Sequence, residues 1–274
     1  MSVNFGPGLH AAAGARVDRG AYDRYLGRWS RLFVPEVIEA AEVATADRVL
    51  DVATGPGEAA SVALSRVGPS GLVVGADISL GMLQAATTRF ADDPRFRPMV
   101  ADGQALPFAD GVFDSVICQL GLMFFPDPAR GLGEFRRVLR ARHRAVVCVI
   151  STRERAPIWG VLAETLSRYL PGQREVLHLS FALADAGRLE QLLAAAGFRQ
   201  ISVTPARRET SFESFDDYWG PIEEGAGSLP QAYHSLPEPA RRDVRAQVRA
   251  ELAGFERGGR LVMSLEMVIA AGRA

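Results

Sequence analysis

A glycine-containing loop with an adjacent aspartate is the part of the sequence best suited to bind a charged ligand. A short apolar run ends with Asp51, and Gly55 and Gly57 follow before the next helical stretch. Glycines allow the backbone to approach a ligand closely, and the N-terminus of a helix presents free N–H groups and a partial positive charge. Many nucleotide-binding loops share this pattern, so it is weak evidence when taken alone.

The charge of Asp51 restricts which ligand this loop can hold. A carboxylate at the loop entrance would oppose the two negative charges of a dinucleotide pyrophosphate. It can instead pair with an ammonium group, while the loop amides and the helix N-terminus bind a carboxylate. The methionine end of S-adenosylmethionine (SAM) carries both groups, so Asp51 favours SAM. In the alternative interpretation, Asp51 only satisfies the backbone of its own loop.

Two further aspartates follow the next two predicted strands. Asp77 ends the second strand and can accept hydrogen bonds from both hydroxyls of an adenosine ribose, a role that NAD-binding proteins also use. Its alternative role is to cap the following helix, but Ser79 is better placed for that. Asp102 follows the third strand, and it can accept a hydrogen bond from an adenine amino group or be a solvated turn residue.

An apolar segment, 118–127, follows the fourth predicted strand. Ligands of open α/β sheets bind outside the carboxyl ends of the strands, so a pocket is expected at this segment. Met123, Phe124 and Phe125 can line that pocket beside the sulfonium, although such side chains are often core residues.

The spacing of apolar residues predicts the elements that hold these side chains. Continuous apolar strands separated by amphipathic helices indicate a parallel sheet that is covered on both faces. We therefore predict a Rossmann-like α/β fold with a seven-stranded, mostly parallel sheet. The predicted strands are 48–52, 71–77, 96–101, 112–118, 145–150, 198–204 and 261–270. Residues 1–20 are expected to form a flexible N-terminal arm, and two less regular stretches, about 151–183 and 207–258, are predicted insertions.

The composition excludes several classes of function. The formal charge of -1 does not suggest a nucleic acid or an anionic membrane as a partner. All 31 cationic side chains are arginines, and the lack of lysine excludes Schiff-base chemistry. Cys118 and Cys148 lie in apolar runs, so buried thiols are expected and a metal site is not. Because no signal sequence or membrane span is evident, we expect a cytoplasmic protein that acts on a small molecule.

The sequence resembles the class I SAM-dependent methyltransferase family in the order of four features: the loop with Asp51, then Asp77, Asp102 and the segment 118–127. The resemblance is to the methyltransferase domain 11 group, which includes the ubiquinone and menaquinone C-methyltransferases. It covers about 21–206, and its first motif matches 49–57 with Ala53 where glycine is usual. Alanine occurs at that position in the quinone-type members. The resemblance implies one methyltransferase domain over 21–274, with SAM as cofactor and the two insertions as a helical lid over the acceptor.

The same match implies roles for individual residues. Ile78 packs on the adenine, Gln119 and Leu120 line the methionine side, and Tyr22, Tyr25 and Trp29 either close over the cofactor or pack a helix. The full set of implied cofactor-binding residues is Asp51, Ala53, Thr54, Gly55, Gly57, Asp77, Ile78, Met82, Asp102, Gly103, Gln104, Gln119 and Leu120.

One departure from the family concerns the turn before the fifth strand. The family usually has Pro-Gly-Gly there, whereas this sequence has Ala-Arg-His-Arg at 141–144. The turn lies away from the expected cofactor site, so SAM binding should not depend on it. We expect His143 to be a surface residue of this turn and not a catalyst.

No motif names a general base or the methyl acceptor. The insertions offer His178, His234 and Tyr218 as weak catalytic candidates, together with Tyr233, Glu223 and Glu224, and each of these is more often a solvated or lid-packing residue. Met123, Phe124, Phe181 and Trp219 are the predicted substrate-pocket residues. Their apolar character favours an aromatic, lipidic or polyketide-like acceptor that is methylated on oxygen or carbon.

Two other functions are compatible with parts of the sequence. A SAM-binding protein without transfer chemistry would keep the cofactor residues and need no base, whether its role were structural or a cofactor-assisted cyclisation. A nicotinamide oxidoreductase would share the sheet, but Asp51, Asp102 and the lack of a regular G-x-G-x-x-G motif disfavour it.

Overall fold

The computed structural model describes residues 23–225 and 227–274, so the predicted arm and Tyr22 lie outside the described residues. The fold is built on one eight-stranded sheet, with strand order β3-β2-β1-β4-β5-β8-β6 and β7 paired to β8. The strands are β1 Arg48–Val52, β2 Leu72–Asp77, β3 Phe96–Val100, β4 Phe113–Gln119, β5 Leu139–Ile150, β6 Arg199–Phe212, β7 Glu256–Arg257 and β8 Arg260–Arg273.

Helices cover both faces of the sheet. A run of helical turns, Asp23–Phe33, precedes the first helix and is called the N-terminal segment below. The helices are α1 Val34–Ala40, α2 Glu58–Val67, α3 Leu80–Arg89, α4 Pro128–Val138, α5 Pro157–Tyr169, α6 Arg174–Leu177, α7 Ala186–Ala195, α8 Phe215–Glu223, α9 Ser228–His234 and α10 Glu238–Leu252.

The predicted mostly parallel Rossmann-like sheet is confirmed. β1 to β5 run parallel, and β8 is inserted antiparallel between β5 and β6. The apolar side chains of the inner strands β1 and β4 are buried on both faces, as expected of a sheet covered by helices on both sides, whereas the edge strand β3 exposes Met99 and Val100. Consequently the loops after β1, β2, β3 and β4 leave from the same edge of the sheet, where the predicted ligand contacts follow the strands.

The turn predicted at 141–144 is part of β5, where it forms an irregularity in the pairing with β4. Leu139 lies opposite Phe113 and Arg144 opposite Ser115, so the residues between them bulge from the strand. The backbone bends at Arg142, which has a left-handed φ of 72°, and its N–H donates to the Ala274 carbonyl. The side chain of His143 is 43% exposed, so it lies on the surface of this bulge.

The second insertion begins later than predicted, because β6 continues to Phe212. Its pairing with β8 runs without a break from Ser202 to Phe212. The two strands therefore extend beyond the rest of the sheet as a ribbon, and residues 207–212 belong to that ribbon and not to a lid.

Helices from both insertions pack together as one layer. α5 from the first insertion contacts α9 and α10 from the second, and α8 contacts α9. The N-terminal segment joins this layer, since Trp29 is fully buried with its ring 3.7 Å from the ring of Trp159. Trp29 therefore packs a helix. Among the described residues, no helix is long and apolar enough to cross a membrane.

A buried carboxylate ties β8 to the start of the first insertion. Glu266 accepts hydrogen bonds from the Ser151 hydroxyl and from Arg155, each at 2.7 Å, and from Arg207. Burial alone would raise the pKa of this carboxyl. The hydrogen bonds from Arg155, Ser151 and Arg207 outweigh burial and lower that pKa to about 2.

Replacing Glu266 with Gln should therefore destabilise the fold. We expect a loss of about 1–3 kcal/mol in the free energy of unfolding at pH 7, measured by urea denaturation. The folded pKa lies below the unfolded one, so the loss should be complete above about pH 4.5 and shrink as pH falls towards 2. The exposed pair of Glu238 and Arg242 supplies the control, since Glu238→Gln should cost less than about 0.5 kcal/mol. An equal cost for both variants would contradict this role of Glu266.

Candidate cofactor and acceptor site

The loop after β1 takes a left-handed backbone at three positions. Ala53, Gly55 and Gly57 have φ values of 56°, 54° and 88°. At Gly57 a Cβ would lie 2.4 Å from the ring of Phe90, so any larger residue would collide there as well as be strained. Ala53 has the same left-handed backbone although it carries a methyl group. That methyl group fits because residue 121 is glycine: a Cβ at position 121 would lie 2.4 Å from the Ala53 Cβ.

Asp51 is buried at the end of β1, beneath this loop. Its side chain is 1% exposed and accepts a hydrogen bond of 2.7 Å from the Thr54 hydroxyl. Burial raises the pKa of this carboxyl to about 7, against the lowering effect of Thr54. No cation of the described residues pairs with this carboxylate, and the ammonium group of SAM would supply such a partner.

Asp77 closes the loop from the side of β2. Its two carboxylate oxygens accept the backbone N–H groups of Gly55, at 2.9 Å, and Ser79, at 2.8 Å. Each oxygen has a second lone pair, so the side chain retains capacity for ribose hydroxyls. Burial raises the pKa of Asp77. Ser79 caps α3 by accepting from the N–H of Met82, as the sequence predicted.

The predicted adenine-side residues form a hydrogen-bonded turn. Asp102 Oδ1 accepts from the backbone N–H and the side-chain amide of Gln104, at 2.8 and 3.2 Å. The amide oxygen of Gln104 in turn accepts the Asp127 N–H at 2.8 Å. Both polar side-chain atoms of Gln104 therefore form hydrogen bonds within the protein, and Gln104 holds Asp102 in position. Phe125 covers Gly103, where a Cβ would lie 2.3 Å from the ring.

Gln119 ends β4 next to Asp51, since β1 and β4 pair with Asp51 opposite Ile117. The Gln119 amide nitrogen donates to the Ser30 carbonyl at 2.7 Å, and its buried Oε1 has no hydrogen-bond partner among the described residues. An unsatisfied buried oxygen is costly, which favours a donor from a bound ligand. Leu120 has a φ of 59° and donates its N–H to the Cys148 carbonyl, which turns the chain away from the sheet.

The N-terminal segment connects the loop to the helical layer. The Arg31 guanidinium lies 3.6 Å from the Glu58 carboxylate at the start of α2. Three residues earlier, Arg28 donates to Asp217 of α8 at 2.9 Å. The segment thus contacts the cofactor side through Arg31 and Ser30, and the helical layer through Arg28. The side chain of Tyr25 lies outside the described residues.

Three of the four predicted substrate-pocket residues lie in two turns that touch. The 3-10 turn Leu122–Phe124 contacts the 3-10 turn Leu179–Phe181, which brings the turns carrying Met123, Phe124 and Phe181 together. Phe124 and Phe181 are half-buried, whereas Met123 is buried. The first of these turns follows β4 directly after Gln119, and the second lies within the first insertion.

Trp219 and Tyr218 occupy the interior of the helical layer instead. Trp219 is fully buried, stacks on Phe215 with ring centroids 5.5 Å apart, and donates its indole N–H to Glu223. The Tyr218 hydroxyl donates to the Ile158 carbonyl at 2.9 Å, and its ring is buried. The placement of Trp219 in the pocket and of Tyr218 as a catalyst is therefore corrected: both are packing residues.

His234 and His178 differ in their surroundings. His234 is exposed, and its Nε2 lies 2.8 Å from the Glu223 carbonyl at the outer end of α9. His178 is half-buried beside the turn Leu179–Phe181. Only His178 among the weak catalytic candidates is therefore near the turns that carry Met123 and Phe181.

Comparisons with known proteins identify the family to which this chain belongs. A family model described as a methyltransferase domain matches residues 50–147. A demethylmenaquinone methyltransferase of Thermus thermophilus is 33% identical over 183 residues, which cover 62% of this chain and 81% of the relative. The chain belongs to the class I SAM-dependent methyltransferase family. Its cofactor is accordingly SAM.

Other relatives match over a shorter stretch. A demethylmenaquinone methyltransferase of Mycolicibacterium vanbaalenii is 40% identical over 133 residues, 48% of this chain and 55% of the relative. The chain thus spans about half the length of this relative. The solved structure of phosphoethanolamine N-methyltransferase 2 from Haemonchus contortus with S-adenosyl-L-methionine has a TM-score of 0.62 at 17% identity. It covers 99% of this chain and 60% of that one, and shows the shared fold.

Several positioning contacts of this methyltransferase have no signal in the sequence. The Ser30 carbonyl that holds Gln119 is 89 positions away from it, and a backbone acceptor carries no residue type. Phe90, which fits Gly57, is an ordinary apolar residue at the end of α3. The pairing of Glu58 with Arg89, at 2.8 Å, could have been suspected only once the loop and α3 were placed side by side.

Replacing Asp51 with Asn tests whether the buried carboxyl binds the ammonium group. We expect SAM affinity to fall by about 1.5–3 kcal/mol at pH 7.5, measured by calorimetry. In the wild type, affinity should rise by about fivefold as pH rises from 6 to 7, because ligand binding requires the ionised carboxyl, and by no more than about twofold above pH 7. The variant should lose most of this dependence on pH.

The same variant should be more stable without cofactor. The folded pKa of Asp51 exceeds the unfolded value, so wild-type stability falls as pH rises from about 4 to about 7, and Asn removes that loss. Unchanged SAM affinity together with unchanged stability at pH 7.5 would contradict the assignment.

Proposed function

We propose that this protein transfers the methyl group of SAM to a small apolar or aromatic acceptor, on oxygen or carbon. The observation that carries this proposal is the buried Asp51 carboxyl on β1, the strand that pairs with β4, where the Oε1 atom of Gln119 has no hydrogen-bond partner among residues 23–225 and 227–274. Two acceptors at the ends of neighbouring strands, with no cation of the described residues paired to them, suit the ammonium of the methionine moiety. They do not suit a pyrophosphate, which argues against a nicotinamide cofactor.

The remaining predicted residues surround the same edge and would hold the rest of the cofactor. Asp77 would accept from the ribose hydroxyls, and Ile78 and Met82 on the adenosine side are half-buried. Asp102, fixed by Gln104, would accept from the adenine amino group. The loop with Thr54, Gly55 and Gly57 would present its N–H groups to the carboxylate. When bound, SAM supplies an electrophilic methyl group on a positively charged sulfur.

The acceptor side is defined by apolar side chains. Phe124 and Phe181 are half-buried on adjoining turns at the carboxyl end of β4, which suits a flat, apolar ring more than a charged group. The curated relatives are named as demethylmenaquinone methyltransferases. A hydroxylated aromatic ring of the quinol type is accordingly the acceptor class we propose. The cytoplasmic location expected from the sequence stays a prediction.

A turnover assay with methyl-labelled SAM tests the proposal. We expect label to pass to at least one member of a panel of short-chain naphthoquinols, phenols and aromatic polyketides, with equimolar release of S-adenosylhomocysteine. Reactions without acceptor, and with Asp51→Asn at the same SAM concentration, are the controls. SAM binding without label transfer to any acceptor would replace this proposal with the SAM-binding protein that lacks transfer chemistry. NAD binding without SAM binding would overturn the cofactor assignment.

Asp77→Asn tests the ribose contact. Asn keeps the shape of the side chain but turns one acceptor into a donor, which opposes the N–H group of either Gly55 or Ser79 and removes an acceptor for a ribose hydroxyl. We expect SAM affinity to fall by about 1–3 kcal/mol in calorimetry. Ser79→Ala is the control, because it removes the helix cap and leaves Asp77 intact. If the control lost as much affinity as Asp77→Asn, the effect would come from the loop and not from the ribose contact.

A further inference from the structure

His178 stands where the helical layer meets the apolar turns of the acceptor side. It follows α6 directly and precedes the turn Leu179–Phe181, which contacts both β5 and the turn Leu122–Phe124. The ring centroid of Phe181 lies 6.2 Å from that of His178. The imidazole is therefore a half-buried titratable group next to the apolar side chain of Phe181.

The contacts of Ser167 determine which nitrogen of this imidazole carries the proton. The Ser167 hydroxyl is buried on α5, 2.8 Å from the Ala163 carbonyl and 2.9 Å from Nε2 of His178. A hydroxyl has one proton to donate. Because the carbonyl can only accept, donation to Ala163 leaves the hydroxyl oxygen to accept a proton from Nε2.

Glu164 favours the same tautomer. Its carboxylate lies 3.6 Å from Nε2, so two acceptors face one ring nitrogen. The arrangement also excludes a hydrolase triad, in which the carboxylate would face Nδ1 and the serine would be open to substrate. With the proton on Nε2, the lone pair is on Nδ1, the nitrogen that does not face Ser167.

Burial and the surrounding charges favour the neutral ring. Burial lowers the pKa of His178 most, and Arg153 adds to this lowering; Glu164 raises the pKa and Arg174 lowers it again. Both arginines also pair with the Glu164 carboxylate, which weakens its effect on the ring. A neutral imidazole whose Nδ1 has no hydrogen bond to any described residue can accept a proton near pH 7.

We propose that His178 is the general base of the methyl transfer and that Ser167 is a positioning residue that fixes its tautomer. This inference rests on the proposed function. His178 Nδ1 takes the proton from the acceptor's O–H or acidic C–H. The electron pair released there forms the bond to the methyl group, and the electrons of the broken S–CH3 bond stay on the sulfur of S-adenosylhomocysteine. The imidazolium then returns its proton to water.

The tautomer can be measured on the cofactor-free protein by nitrogen NMR of the histidine rings. We expect the proton of His178 on Nε2 in the wild type. Ser167→Ala should give a mixture of tautomers and change the pH at which the His178 signals titrate. Ser65→Ala is the matched control, because the Ser65 hydroxyl also donates to a carbonyl one turn earlier but touches no histidine. A proton on Nδ1 in the wild type would overturn the proposal without bearing on SAM binding.

Turnover then tests the base itself, with the acceptor found in the labelled-SAM assay. His178→Gln should lower kcat by about 100-fold or more and leave SAM affinity unchanged, because a general base contributes roughly 10²–10⁴-fold. Ser167→Ala should shift the acidic limb of the pH–kcat profile in parallel with the NMR titration. His234→Gln, an exposed histidine, should keep the wild-type rate. A wild-type rate in His178→Gln would exclude His178 as the base, whereas a wild type that binds SAM and methylates nothing would overturn the proposed function instead.

Discussion

The buried carboxyl of Asp51 is the constraint on which the rest of the site depends. An acid that is 1% exposed and has no cationic partner within the described part of the chain is unfavourable in the ionised state, and its raised pKa expresses that cost. Binding an ammonium group would give the Asp51 carboxylate the charge pairing that no described residue provides. The protein thus gives up stability near neutral pH in exchange for affinity, a compromise that is common at functional sites.

The surrounding packing prevents the loop from relaxing around Asp51. Gly57 is wedged under Phe90, and the Ala53 methyl group is pressed against Gly121, so neither side of the left-handed backbone can accept a larger residue. The Gly55 N–H is bound to Asp77, which ties the loop to β2. Because these contacts come from three different strand ends, the loop shape is a property of the whole sheet edge and not of the glycines alone.

The sequence predicted what depends on residue type and local spacing, and missed what depends on distant contacts. The strands up to β4, the position of Asp51, Asp77 and Asp102 at or just after the strand ends and the Ser79 cap follow from apolar runs and short-range rules. The bend at Arg142 did not, because a backbone hydrogen bond to Ala274 replaces the expected glycines. We predicted Trp219 in the acceptor pocket because it lies in the second insertion. The two insertions instead pack together as one layer, and Trp219 packs against other residues of that layer.

The same reasoning explains why the base had to be sought by distance. In a Ser–His pair the two residues need no fixed spacing, and here His178 and Ser167 lie eleven positions apart on different helical turns. His178 differs from His234 in its hydrogen-bond partner. The Ser167 hydroxyl that faces His178 directs its proton to Ala163, whereas Nε2 of His234 faces the backbone carbonyl of Glu223 and its ring packs beside Tyr233. Helix α5 would then have two roles. It packs Trp159 against the N-terminal segment, and it places Ser167 beside the imidazole of His178. Closure of the cofactor side and orientation of the base would accordingly depend on the same packing.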